Sequence, residues 1–368
     1  MSMQTDVFIV GGGPAGLAAA IAARKKGLEA IVADGGKFPI EKVCGEGLMP
    51  GTVQLLTEMG VGFRSGDGRE FCGISFLDGN KQAQANFPKS LGVGMRRRRL
   101  HQRLVEAAER SGATLLWNSP VTELRRDGVC AGRSFFSARW IIGADGSGSR
   151  IAQWSGLRKS ARCAYRFARQ QHFAIKPWSD YVEIYWSARS QAYVTPVSEN
   201  EICVAMLGED PNARMSTLLL EHKELAERLG ERLGSTVERG AVTGTHRLRR
   251  VTKDNVLLIG DASGTVDAIT GEGMRLGFEH AIAAVDAIVS GDLRQYERRH
   301  RQIARRPSAM AGMLQILNNK PRLRERVLHV LSEAPELFEK LLHLHIGDSS
   351  VPQTLGAAAG FGWRLLFA

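Results

Sequence analysis

Residues 6 to 34 read Asp6-Val7-Phe8-Ile9-Val10-Gly11-Gly12-Gly13-Pro14-Ala15-Gly16, followed by an Ala-rich stretch from Leu17 to Lys26, then Gly27, an apolar run from Leu28 to Ala33, and Asp34. The apolar, β-branched residues before Gly11 have the pattern of a buried parallel strand. The Ala-rich stretch favours helix and is ended by a glycine, and the second apolar run is again a strand. The order is therefore strand, glycine turn, helix, strand, acid. Gly11 permits the tight turn, Gly13 lets the backbone approach a pyrophosphate without a Cβ in the way, and Gly16 lets helix and strand pack closely. Pro14 and Ala15 open the helix, whose free N–H groups and partial positive charge face the phosphates. Asp34, about twenty residues beyond the first glycines, is placed to accept hydrogen bonds from a ribose diol.

A second stretch of the same kind lies far along the chain. Val256 to Ile259 reads as a strand that meets Gly260-Asp261-Ala262-Ser263-Gly264, and Gly271-Glu272-Gly273-Met274 opens a helix running to Val289. Asp261 at the strand end can hold a ribose or ribityl hydroxyl. Gly271 and Gly273 would bring backbone N–H groups against a ring, and a helix starting at Met274 would stabilise negative charge developing there. Two such elements suit a long, extended dinucleotide such as FAD. With only one full dinucleotide fingerprint present, NAD(P)H is expected to visit transiently as reductant.

Between them the chain changes character. Leu100 to Ser111 reads as an amphipathic helix with Leu100 and Leu104 at helical spacing, and Phe135 to Ala144 is a strand. From residue 163 to 207, aromatic and β-branched residues alternate with polar ones, as in antiparallel strands. Ser216 to Leu233 reads as one helix. On the strand around residues 181 to 186, Tyr181, Glu183 and Tyr185 share one face, and Val182, Ile184 and Trp186 share the other. The first trio, with Tyr193, is the candidate substrate pocket.

The chain has 368 residues, 43% of them apolar and 24% charged, as in an ordinary soluble globular protein, but its net charge of +11 calls for a reason. Its opening residues Met1 to Asp6 have no basic segment ahead of an apolar stretch, so no signal peptide is expected and a cytoplasmic location is. The five cysteines (Cys44, Cys72, Cys130, Cys163, Cys203) are scattered and lack CxxC spacing, which fits reduced thiols and no metal centre. His343 and His345 are two apart and would diverge on a helix. Much of the positive charge sits in Arg96–Arg99 and between Arg294 and Arg326. No nucleic-acid motif or interleaved aromatics accompany it, so no nucleic-acid partner is expected. A solvated helix face is the simpler reading; an acidic carrier protein or a membrane surface is the alternative partner for these basic C-terminal helices. The apolar tail from Leu355 to Ala368 is read as packing on the core.

Taken together, Gly11/Gly13/Gly16, Arg97-x-x-Leu100, Gly143-Ala144-Asp145-Gly146 and Gly260-Asp261…Gly271-Glu272-Gly273 resemble, in order and spacing, the flavoproteins with the p-hydroxybenzoate hydroxylase fold. Lys42-Val43-Cys44-Gly45-Glu46-Gly47 and Thr270-Gly271-Glu272-Gly273 are most similar to the geranylgeranyl-reductase-like branch, although that branch usually has a proline where Ala268 stands. No Trp-x-Trp-x-x-Pro segment of the flavin halogenases is present. The resemblance implies an α/β fold: a discontinuous Rossmann-like FAD-binding domain (residues 1–70, 95–160 and 247–300), an antiparallel β-sheet substrate domain roofing the flavin (71–94 and 161–246), and a helical C-terminal region (301–368). It also implies cofactor contacts from Arg97 and from Asp145, near the pyrophosphate and the nicotinamide path, and it puts Cys44 and Gly45 near the ring.

Two reactions follow. An FAD-dependent monooxygenase would use NAD(P)H and O2 to oxygenate a small apolar or aromatic substrate in a dry cavity. A flavin-dependent ene-reductase would saturate a prenyl or polyene chain, with Cys44 as tentative proton donor. A non-catalytic flavin-binding protein ranks below both.

Overall fold

The computed structural model describes residues 3–158 and 165–346. The tail from Leu355 and Cys163 lie outside the described residues, as does the His345 side chain.

The strand Met3–Val10 is the hub of an eight-stranded sheet. It pairs in parallel with Ala30–Ala33 on one side and with Ser134–Gly143 on the other. Val256–Leu258 extends the sheet in parallel beyond Ser134–Gly143, and Thr114–Leu116 extends it beyond Ala30–Ala33. A hairpin, Val121–Arg125 and Gly128–Ala131, hangs on the Ser134–Gly143 strand. Val7, Phe8 and Ile9 are completely buried because helices cover the sheet. The helices Pro14–Lys25, Arg97–Arg110 and Gly273–Ser290 form that cover. The first and last of them approach closely because only small groups meet there: the Cα atoms of Gly260 and Gly277 lie against Ala15.

A second sheet of seven strands stands over this layer. Its order is Arg239–Gly244, Tyr165–Phe173, Glu201–Gly208, Ser190–Ser198, Tyr181–Trp186, Gly73–Asp78, Lys81–Asn86. All its pairings are antiparallel except that of Tyr181–Trp186 with Gly73–Asp78. Both faces are covered. The region 216–233 forms two short helices, Met215–Leu219 and Lys223–Leu229, rather than one. His222, between them, turns inward and pairs its Nε2 with Ser190 Oγ at 2.9 Å, which interrupts the helix.

The helices Leu293–Asn319, Pro321–Glu333 and Pro335–Ile346 close the far edge of the roof sheet, packing Val327, Leu328, Leu331, Phe338 and Leu342 against Ile74, Ala83, Ala85 and Trp186. The basic stretch divides in two. Arg294, Arg298, Arg299, Arg301, Arg305 and Arg306 are exposed. Arg324 is instead buried, 2.7 Å from Asp78 Oδ2 and stacked over Trp186. No helix among the described residues is long and apolar enough to cross a membrane.

Candidate active site

A cavity of about 900 Å³ opens between the two sheets, at the upper end of the volumes that ligand sites occupy. Its floor is the first glycine turn. Gly11, at φ 112°, lies against the Ala144 backbone, and Gly16 lies against the Gly11 carbonyl, so neither position has room for a Cβ. At Gly13 a Cβ would meet nothing within 4 Å. Its φ is −72°, open to any residue. The empty space in front of Gly13 is the cavity itself, at the N-terminus of the 14–25 helix, where the N–H groups of Ala15 and Gly16 find no intrahelical partner. This division of the glycines fits a pyrophosphate seated on the turn.

Asp34 ends the neighbouring strand. Its carboxylate accepts from the Gly12 N–H at 2.7 Å and the Gly36 N–H at 2.7 Å. It thus organises the turn as well as facing the cavity. His101, which no sequence pattern marked, is fully buried beneath the same turn: Nε2 lies 2.8 Å from the Gly12 carbonyl, and Nδ1 accepts from the Ile40 N–H at 3.2 Å. Burial holds its pKa below the usual range. The imidazole is therefore neutral and Nε2 is the donor.

The far wall comes from the second glycine stretch. Gly260 begins a short 3-10 turn, a two-residue strand and another 3-10 turn follow, and the long helix starts only at Gly273. The helix thus begins where the sequence placed it; the residues between carry Asp267, whose Oδ1 accepts from the Ile269 N–H at 3.0 Å, and Gly271 at φ 67°. Asp267 is buried against Arg166 and accepts from Gln315 at 2.8 Å, which anchors the loop to roof sheet and C-terminal helix. Gly271, Gly273 and Met274 line the cavity. Asp261 also lines it, with Lys42 Nζ 3.0 Å from its carboxylate across the opening.

Asp145 lines the cavity but its carboxylate is turned to the 150–154 helix. It accepts from Ser149 Oγ at 2.6 Å and from the Arg150 N–H at 2.7 Å. Cys44, Gly45 and Arg97 face the same space. Arg97 Nη1 is 3.9 Å from Cys44 Sγ, and the Thr195 hydroxyl, on the roof, donates to the Gly45 carbonyl at 2.7 Å.

The roof presents Ala168, Val182, Tyr193, Thr195, Ala205 and Leu207. Of the four residues expected in the substrate pocket, only Tyr193 lies there, its hydroxyl donating to the Ile269 carbonyl at 3.1 Å. Tyr181, Glu183 and Tyr185 point the other way, which corrects the choice of face. Tyr185 Oη and Trp178 Nε1 donate to Glu183 Oε2 at 2.6 and 2.8 Å, and Arg228 is 3.3 Å from Oε1. Tyr185, Trp178 and Arg228 together satisfy that buried carboxylate on this side of the sheet.

The sequence also missed Glu46, His172 and Cys203, whose ligand atoms lie within 4.8 Å of one another behind the Cys44 loop. Burial and the nearby Glu46 carboxylate push the Cys203 thiol well above its usual pKa.

Comparisons agree with this architecture. A menaquinone reductase of Mycobacterium tuberculosis is 26% identical over 321 residues, covering 79% of this chain and 78% of the relative. A crystal structure of a flavoprotein/dehydrogenase from Cytophaga hutchinsonii superposes with a TM-score of 0.81 at 21% identity, covering 94% of this chain and 93% of that one. A probable FAD-dependent monooxygenase from Pseudomonas aeruginosa superposes with a TM-score of 0.72 at 19% identity, over 87% of this chain and 98% of that one. The FAD binding domain family matches residues 4–291, spanning both glycine stretches and the sheet between them. The chain belongs to that family and is an FAD-dependent oxidoreductase.

Proposed function

We propose that the chain is a monooxygenase that uses NAD(P)H and O2 to oxygenate a small apolar or aromatic substrate held under the roof sheet. The observation that carries this reading is the lining of the roof. Ala168, Val182, Ala205 and Leu207 present only carbon, and the hydroxyls of Tyr193 and Thr195 already donate to backbone carbonyls. Burial pushes the Tyr193 phenol to a high pKa. A stretch of ceiling without an idle donor disfavours water and slows the decay of a reactive oxygen species.

FAD, when bound, supplies the two-electron chemistry and the activation of O2. The protein's residues bind and orient. Gly13 and the 14–25 helix receive the pyrophosphate, Asp34 receives a ribose diol, and the start of the 273–290 helix at Gly273 offers its N–H groups to negative charge on the ring. Asp145, already committed to its helix cap, contributes the shape of the pyrophosphate wall. The exposed arginines of the 293–319 helix are where an acidic carrier or an anionic membrane would dock.

One observation favours a second reading. Cys44 stands in the cavity beside Arg97, where a thiol can deliver a proton to carbon during reduction of a prenyl double bond. The reductase relatives fit it. One experiment separates the two. The holoenzyme with NADPH and heavy-isotope O2 is given long-chain alkylphenols, and under anaerobiosis a menaquinone. Heavy oxygen in the product supports oxygenation. Saturation of the prenyl chain without oxygen incorporation rejects it for the second reading.

A further inference from the structure

A second cavity, of about 780 Å³, lies on the other side of the Cys44 loop. Its walls include Arg96, Gln170, His172, Glu201, Thr236 and Arg239. Glu46 lines the flavin cavity and His172 lines the second one; they are 3% and 4% exposed, and they meet at 2.7 Å between Glu46 Oε2 and His172 Nε2. One buried acid–imidazole contact thus joins two solvent-accessible spaces.

The geometry also sets the direction of the protons. His172 Nδ1 lies 3.1 Å from Arg96 Nη1, which can only donate, so Nδ1 is an acceptor and the ring hydrogen sits on Nε2, facing Glu46. Arg96 is fixed by two contacts to Glu201 at 2.6 and 2.7 Å. The Thr236 hydroxyl, on the second cavity, is also 3.1 Å from Nδ1. The other groups facing the pair are the Arg97 N–H, which Glu46 Oε1 accepts at 2.8 Å, and the Cys203 thiol, which accepts from Gln170 at 3.4 Å. Glu46 itself has φ 60°, left-handed backbone that a residue with a Cβ seldom adopts and that clusters at functional sites.

We propose that Thr236, His172 and Glu46 form a proton path from the second cavity to the flavin cavity. Water in the second cavity gives a proton to Thr236 Oγ1 as its hydroxyl proton passes to His172 Nδ1. The Nε2 proton passes to Glu46 Oε2, and Glu46 delivers it into the flavin cavity. One proton enters for each one delivered, and a single passage, which leaves the ring hydrogen on Nδ1, supplies the one proton that a reoxidation consumes. This path rests on FAD binding alone, whatever the organic substrate.

The test needs no organic substrate. Reoxidation of the two-electron-reduced holoenzyme by O2, giving FAD and hydrogen peroxide, takes up one proton per anionic reduced flavin. It is followed in stopped flow with flavin absorbance and a pH indicator in weak buffer. His172→Gln and Thr236→Val are expected to retain FAD and to slow proton uptake at least about ten-fold, with partial recovery in His172→Gly on adding imidazole. Wild-type uptake rates in Thr236→Val and His172→Gln would overturn the path. If the His172 variants do not hold FAD, Thr236→Val decides alone, slowed uptake supporting the path and wild-type uptake rejecting it. Equimolar zinc in the purified holoenzyme would overturn it as well, because the three side chains would then be ligands. Failure of the path leaves the oxygenation reading untouched, and the reverse holds.

Discussion

Gly13→Ala separates cofactor binding from folding in a way its neighbours cannot. The added methyl would meet no atom within 4 Å, and the φ of −72° suits alanine. The apo-protein should therefore lose no stability, and restricting the unfolded chain should add roughly 0.4–1 kcal/mol. The same methyl occupies the space in which a phosphate approaches the helix start. Displacing one or two charge-assisted hydrogen bonds costs about 1.5–3 kcal/mol, a loss of roughly 10- to 150-fold in FAD affinity. Gly16→Ala forms the control, because its methyl collides with the Gly11 carbonyl and destabilises the apo-protein itself. The assay pairs thermal melts of the apo-proteins with FAD titration by flavin fluorescence. Wild-type affinity in Gly13→Ala, or an apo-protein that melts lower than wild type, would refute the assignment of the pyrophosphate to this turn.

Other expectations follow from the same geometry. Lys42→Ala removes a half-exposed contact with Asp261, so stability should change by less than about 0.5 kcal/mol, while FAD should dissociate faster through the opened cavity mouth, as a chase with an excess of an FAD-specific apoprotein would read out. Burial holds His222 and His300 neutral, each at a pKa of about 4 against 6.5 ordinarily. The unfolded chain takes up these protons first, so stability is full above pH 6.5 and falls between pH 6.5 and 4, by up to about 3 kcal/mol for each; urea melts at pH 7 and pH 5 should show the decline, and a flat profile would contradict the burial. Cys44→Ala should leave heavy-oxygen incorporation within a few-fold of wild type; its abolition would move the thiol into the reaction. Arg324→Met removes the partner of Asp78 under the C-terminal helices, and a loss of about 3–5 kcal/mol is expected in urea denaturation.

Much of the cradle was legible because its requirements are local. Gly11 and Gly16 sit against backbone that leaves no room for a Cβ, Gly13 keeps the ligand's approach clear, and the flanking strand and helix announce themselves by composition. Gly271 and Gly273 were found for the same reason, although the 3-10 segment before them, held by the distant Arg166 and Gln315, left no local trace. The roof was legible as strands but not as faces. Tyr181, Glu183 and Tyr185 alternate as well as Val182, Ile184 and Trp186 do, and a sheet covered on both sides gives no polarity by which to choose. The deciding group, Arg228, lies 45 residues from Glu183 in sequence. Glu46 stood within the Cys44-Gly45-Glu46-Gly47 turn, yet its partner His172 is 126 residues away, and only the folded chain joins them.

The walls of the flavin cavity are drawn from residues as far apart in sequence as Val10 and Gly277. The strand Met3–Val10 finds its second neighbour only when Ser134–Gly143 exists, and Ala15 meets Gly260 and Gly277 only after most of the polypeptide is made. During synthesis on the ribosome, residues 1–250 can therefore present the phosphate turn but not the wall that closes over it. A nascent chain stalled before Gly260 should hold FAD weakly, and one released beyond Ser290 should hold it firmly. Loading of the cofactor is in this sense a late step of biogenesis, and the half-built parallel sheet must stay free of aggregation until the last third of the chain arrives.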